Sequence, residues 1–147
     1  MRMIPQKIAF SLPIYTYQID FNRHVSNIVY IEWMEIGRLK LLEAVGLPVQ
    51  QAAAAGLAAV LVETQIVYKQ PLSLGDTVQA EVWLSEVGKA SAWIEFRFYN
   101  NAGTLVAAGR QKGVFVSSET ARPVRLPPDQ RQAFERYLHL DGDDNRV

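Results

Sequence analysis

The sequence predicts an α+β domain in which a curled antiparallel sheet wraps one long apolar helix. Three observations lead there. A helical pattern from Ile28 to about Val45 (IVYIEWMEIGRLKLLEAV) is apolar nearly all round, and such a helix is usually buried rather than lying on a surface. Strand-like runs then follow one another with tight-turn residues between them, which is the pattern of an antiparallel meander. The chain has 147 residues, with no internal repeat and no linker-like segment, so residues 1–147 read as a single domain with a core at about 8–138.

Taken in order, KIAFSLPIYTYQI (7–19) is rich in β-branched and aromatic residues and predicts a strand, bent at Pro13. The polar segment DFNRHVSN (20–27) follows, with Asn27 as an N-cap for the long helix and Gly46 and Pro48 as its stop. Glu35 and Arg38 are spaced i, i+3 on that helix and predict an ion pair, a structural role ahead of a catalytic one. LPVQQAAAAGLAA (47–59) has room for a short helix broken at Gly56. VLVETQIVYK, TVQAEVWLSEV, ASAWIEFRFY and TLVAAGRQKGVFVS then predict four strands, separated by QPLSLGD, Gly88-Lys89 and Asn100-Asn101-Ala102-Gly103. In the second and third of these, Val78, Ala80, Val82 and Leu84, and Ala92, Ile94, Phe96 and Phe98, share one phase, and Trp83 and Trp93 take the other. The small phase is expected to face the helix. That leaves the two Trp on an outward face, where they point to association with a further copy. RPVRLPP (122–128) is an extended connector, Asp129 caps a last short helix (DQRQAFERYL), and the tail DGDDNRV is expected to fray.

Composition narrows the chemistry. Lys+Arg and Asp+Glu each number 15, so the formal net charge is zero and no global field draws nucleic acid or an anionic membrane. There is no Cys, which removes disulfides, thiolate metal sites, iron–sulfur clusters and a thiol nucleophile. Only His24 and His139 are present, too few for a His-rich metal centre, and His139 reads as a surface residue. The first residues, MRMIPQKIAF, lack the form of a signal peptide, and no stretch approaches a membrane span, so a cytoplasmic location is expected. No P-loop spacing or G-x-S-x-G elbow occurs.

The segment 20–27 is the outlier. Asp20, Asn22 and His24 place a carboxylate, a carboxamide and an imidazole at alternate positions just before a buried helix. The start of a helix offers unpaired N–H groups and a partial positive charge, able to polarise a carbonyl and hold the oxyanion that forms on attack. A carboxylate beside it can deprotonate water or attack directly, as acyl transfer requires where no Ser or Cys nucleophile is arranged. The plainer reading of the same residues makes Asp20 and Asn27 helix caps and His24 a linker histidine.

The pattern D-x-N-x-H-V-x-N-x-x-Y-x-x-W-x-E-x-x-R (Asp20, Asn22, His24, Val25, Asn27, Tyr30, Trp33, Glu35, Arg38) resembles the signature of hotdog-fold thioesterases, the 4-hydroxybenzoyl-CoA thioesterase-like enzymes and the related plant acyl-ACP thioesterases. Tyr68-Lys69-Gln70-Pro71-Leu72-Ser73-Leu74-Gly75-Asp76 resembles that family's Y-x-x-P-x-x-x-G-D. Ala107-Ala108-Gly109-Arg110 with Arg122-Pro123-Val124 and Leu126-Pro127 is a weaker third match. The resemblance implies a helix wrapped by an antiparallel sheet, with active sites at the interface of a homodimer, or of dimers within a homotetramer. It also implies hydrolysis of an acyl-CoA or acyl-ACP without a cofactor. Asp20 falls on the family's catalytic carboxylate, the peptide N–H near Asn27 on its carbonyl-polarising position, and Asn22 and His24 on its further polar positions. Arg23 and Ser26 depart from the family's usual Gly and Asn.

Further candidates are weaker. Tyr30 is placed to line the acyl pocket or to join the core. Glu63, beside Thr64 on the second strand, is a candidate second carboxylate, and Tyr68, Lys69 and Arg110 are candidates for substrate phosphates. A related hydratase or dehydratase would use the longer D-x-N-P-x-H, which this chain lacks, and a non-catalytic acyl-CoA-binding module is the remaining alternative.

Overall fold

A computed structural model describes residues 4–140. Five strands, β1 (Ile8–Leu12), β2 (Leu57–Tyr68), β3 (Val78–Val87), β4 (Ser91–Tyr99) and β5 (Leu105–Ser117), form one antiparallel sheet in the order β1-β3-β4-β5-β2. Helix α1 (Asn27–Ala44) crosses one face, α2 (Val49–Ala54) leads into β2, and α3 (Pro128–Glu135) closes the far end. This is the hotdog arrangement the sequence predicts: α+β, with a curled sheet around a central helix. Among the described residues no helix is long and apolar enough to cross a membrane.

Local chemistry moves several boundaries. β1 ends at Leu12, because Pro13 has no N–H to offer a ladder, and Thr16–Gln18 is a 3₁₀ turn rather than more strand. Ser26, not Asn27, takes the extended N-cap conformation of α1. Pro127 rather than Asp129 caps α3, and Asp129 sits in its first turn. The expected fraying of DGDDNRV falls outside the described residues.

Why the helix lies so close to the sheet is visible at two glycines. A Cβ on Gly37 of α1 would meet Val82 Cγ2 at 2.8 Å and Phe96 Cε1 at 3.1 Å. A Cβ on Gly109 of β5 would meet Met34 Cε at 2.8 Å. Val29, Tyr30, Trp33, Met34, Leu41 and Leu42 fill the space between, against Val82, Phe96 and Phe98. The opposite face of α1 is open: Ile28, Ile31, Ile36 and Leu39 are exposed in the single chain, where full burial was expected from the all-round apolar pattern. Val60, Val62 and Val67 are exposed on β2, the sheet's free edge on that side.

The outward Trp face is corrected more sharply. Trp83 is only 2% exposed and Trp93 is half-buried. Phase alone assigned them correctly to the face away from α1, but segments distant in sequence cover Trp83, and the Arg110 guanidinium of β5 lies over Trp93. The chain near Leu138 bridges to Leu84, the ring of His139 packs 6.0 Å from Trp83, and Lys7 Nζ lies 4.1 Å above the same ring. His139, half-buried, accordingly leaves the surface role expected of it for a structural one, with Nε2 at 3.0 Å from the Gln6 carbonyl oxygen.

Candidate active site

The polar segment forms a tight, stapled turn. Ile19 and Val25 pair across it, the Asp20 N–H donates to the His24 carbonyl (2.8 Å), and the Arg23 N–H donates to the Asp20 carbonyl (3.0 Å). The Asp20 carboxylate then holds the turn from within, Oδ1 accepting from the backbone N–H of Asn22 (2.9 Å) and, more loosely, of His24 (3.4 Å). Among the described residues Oδ2 has no hydrogen-bond partner. The geometry demands a positive φ at Arg23, +66°, a conformation that costs a non-glycine residue about 1–2 kcal/mol.

Buried Val25 locks this turn to the second motif, its N–H donating to the Leu72 carbonyl at 2.8 Å, and Leu72 is itself fully buried. The Ser73 N–H donates to Asp76 Oδ2 (2.8 Å), and Gly75 turns the chain at φ +100°. The two motifs, far apart in sequence, thus meet around a cleft of about 330 Å³ lined by Asp20, Asn22, His24, Val25, Asn27, Tyr30, Tyr68, Lys69, Gln70 and Pro71. The side chains of Asn22 and His24 are exposed in it.

The start of α1 opens into the same cleft with its donors free. Ser26 makes no side-chain capping bond. The first N–H groups of the helix, at Asn27 and Ile28, make no hydrogen bond among the described residues, and the Val29 N–H donates to the Ser26 carbonyl. Tyr68 steadies this end by donating its hydroxyl to the Asn27 carbonyl at 3.0 Å. Its ring meets Tyr30 edge-on at 5.2 Å, and Tyr30 in turn contacts Trp33 and Phe98. Burial, and then the neighbouring Tyr68, push the Tyr30 phenol up to about 12, and burial raises Tyr68 as well, so both remain protonated donors at neutral pH. Tyr30 is thus a core residue that also lines the cleft.

Two sequence candidates lie elsewhere. Arg110 is on the sheet face away from α1, its Nε 3.2 Å from Glu95 Oε2 and its guanidinium 3.9 Å above the Trp93 ring. Glu63, on β2, pairs in register with Lys112 of β5 and accepts a hydrogen bond from Gln65 Nε2. Its neighbour Thr64 points toward the helix instead, accepting from Gln111 Nε2, and Gln111 Oε1 accepts from Arg38 Nη1 at 3.1 Å. Arg38 also pairs with Glu35, as the spacing predicted. Gln70 and Pro71 were unassigned by sequence reasoning although the second motif contains them; their place on the cleft wall is the signal that motif carried. Among the described residues no cluster of three or more Asp, Glu, His or Cys is placed to hold a metal ion.

A carboxylate with one oxygen free, set beside uncapped helix N–H groups in one cleft, is an arrangement for acyl chemistry. The model of the thioesterase-like superfamily matches residues 14–134. The chain belongs to that superfamily. It is 27% identical over 110 residues to YneP of Bacillus subtilis, a proposed acyl-CoA thioesterase, covering 73% of this chain and 80% of that protein. It is 28% identical over 134 residues to ATL3, a chloroplastic acyl-acyl carrier protein thioesterase of Arabidopsis thaliana, covering 88% and 68% respectively. Among solved structures, the Staphylococcus aureus protein SAV2348 in complex with CoA superposes with a TM-score of 0.88 at 16% identity, over 99% of this chain and 94% of that one, which shows the shared fold.

Proposed function

We propose that this member of the thioesterase-like superfamily hydrolyses an acyl-CoA or acyl-ACP to the free acid and thiol, with Asp20 as general base or nucleophile. The observation that carries the reading is the Asp20 carboxylate, oriented through Oδ1 by two backbone N–H groups and left free at Oδ2, in the cleft where α1 begins uncapped. The thioester carbonyl oxygen lies against the Asn27 and Ile28 N–H groups, whose partial positive charge stabilises the oxyanion. Oδ2 takes a proton from the attacking water, or itself attacks the carbonyl carbon to give an anhydride that water then opens. Either route expels the thiolate, which is protonated to the thiol. Asn22 and His24, exposed on the turn, orient water and the acyl group.

The acyl group needs an apolar chamber, and the Asp20 cleft is polar. A cavity of about 540 Å³, walled by Leu39, Leu42, Leu47, Ala52, Ala53 and Ala58 with Glu35 and Arg38 at its edge, lies toward the other end of β2. A second copy pairing its β2 antiparallel to this one would set each Leu57 end beside the other's Tyr68 end. That would bring one protomer's chamber toward its partner's Asp20, and it would cover the apolar faces left open on α1 and β2. This supports a homodimer with composite sites. Glu63 and Arg110 are, on this reading, substrate contacts only if made across a protomer boundary.

The test is a panel of aliphatic and aryl acyl thioesters, short and long, on CoA and ACP, with release of thiol and free acid measured together. Stoichiometric release of both supports the proposal. Water addition to an enoyl-thioester without thiol release would assign a hydratase instead, and tight binding with no turnover a binding module.

A further inference from the structure

We infer that the Tyr30 hydroxyl is a third donor to the reacting carbonyl: it hydrogen-bonds the thioester oxygen beside the Asn27 and Ile28 N–H groups. The inference rests on the cleft being a thioester site and assigns a side chain to the carbonyl that is attacked there. Tyr30 stands three residues beyond Asn27, on the same face of α1. Side chains of a helix lean toward its N-terminus, so the phenol projects back over the first turn, where the unbonded N–H groups are. The Tyr68 ring, 5.2 Å from that of Tyr30, sits beside the same turn, since its hydroxyl donates to the Asn27 carbonyl.

What sets Tyr30 apart is a buried phenol whose polar end is unused. The residue is 2% exposed, and its ring is held edge-on by Trp33 at 5.1 Å, Tyr68 at 5.2 Å and Phe98 at 6.0 Å. A tyrosine buried to this degree ordinarily finds a partner for its hydroxyl. Among the described residues the Tyr30 hydroxyl makes no hydrogen bond, and it is not sealed inside the core either. With the other sides of the ring packed, the surface that remains to it is the wall of the Asp20 cleft. Tyr68, the other phenol of the cleft, has its hydroxyl committed to Asn27, which leaves Tyr30 as the tyrosine donor open to a ligand. Burial, and then Tyr68, push its phenol up to about 12, far above the ~8.5 of a thiol. Tyr30 therefore shares its proton with the carbonyl oxygen and keeps it; the departing thiolate is protonated from elsewhere.

The experiment compares the full-length protein with Tyr30→Phe, which keeps the ring and its packing and removes only the oxygen. Its melting temperature at neutral pH should hold, because the hydroxyl has no partner within the described chain. On the best thioester of the panel kcat should fall about tenfold with KM little changed, since the donor acts most strongly on the developing oxyanion. A second readout needs no turnover. The CoA ketone analogue of the tightest-binding acyl-CoA, with a methylene in place of sulfur, is bound to each protein and its carbonyl stretch recorded by infrared difference spectroscopy. The stretch should lie at lower frequency in the wild type than in Tyr30→Phe, which polarises the carbonyl with one donor fewer. The same frequency in both proteins, or an analogue that does not bind, would overturn the inference, as would a rise in KM with kcat unchanged. A Tyr30-dependent frequency in a protein that releases no thiol would refute the proposed hydrolysis and leave this inference standing.

Discussion

The two faces of the sheet treat polar groups in opposite ways. On the face away from α1, Glu95 and Arg97 are buried, and each has its partners built in. Glu95 Oε1 accepts from Arg97 Nη2 (3.2 Å), and its Oε2 accepts from Ser85 Oγ (2.7 Å) and Arg110 Nε (3.2 Å). Arg97 also donates to the Phe96 and Gly109 carbonyls and lies 4.9 Å from the Trp83 ring centroid. At the other region, the Asp20 turn, hydrogen bonds hold the backbone while Asn22, His24 and one oxygen of Asp20 reach a cleft with no side-chain partner among the described residues. Buried charges that satisfy one another hold a fold together; polar groups oriented by backbone and left unsatisfied at a cavity are available to a substrate.

This contrast is open to attack by substitution. Arg97→Met leaves Glu95 buried with only part of its shell, so a loss of ~3 kcal/mol in denaturant unfolding is expected, with kcat/KM of the folded protein close to wild type. A large activity loss without destabilisation would mean the network serves the site instead. Tyr30 gives a pH-dependent counterpart. Below pH 10 its phenol is protonated folded and unfolded alike. As pH rises from 10 toward 12 the unfolded chain ionises and the folded one resists, so stability should fall by ~2 kcal/mol over that window and Tyr30→Phe should flatten the slope. Gly37→Ala sharpens the packing side: helix propensity favours it, but the 2.8 Å approach to buried Val82 outweighs that, and a net loss of ~1–2 kcal/mol is expected by thermal melting. The smallest effect falls at the seam between the two regions. Tyr68→Phe removes one half-exposed hydrogen bond to the Asn27 carbonyl and should cost ~0.5–1 kcal/mol.

The same contrast explains what the sequence could reveal. The Asp20 turn and the start of α1 are contiguous in the chain, so their juxtaposition was legible from residue order, and the second motif arrived intact at the cleft because Tyr68–Pro71 is a single local stretch. The Glu95–Arg97–Trp83 arrangement was not legible, because strand phase gives a face and not what covers it. The cover comes from Lys7 at one end of the chain and from Leu138 and His139 at the other. The face that carries Arg110 was not legible for a related reason: its alternate neighbours Ala108 and Lys112 put it on the side turned away from α1, which the motif did not specify. The open face of α1 was hidden because an all-round apolar helix looks the same whether its own sheet or a second copy buries it.

The most direct measurement of the central claim is kcat of Asp20→Asn on the best thioester of the panel, with its melting temperature taken from the same preparation. The amide oxygen still accepts the Asn22 N–H, so the turn and the melting temperature should be retained. The amide cannot take a proton from water or attack the carbonyl, so kcat should fall ~10²–10⁴-fold. A folded variant that turns over at the wild-type rate would contradict the account.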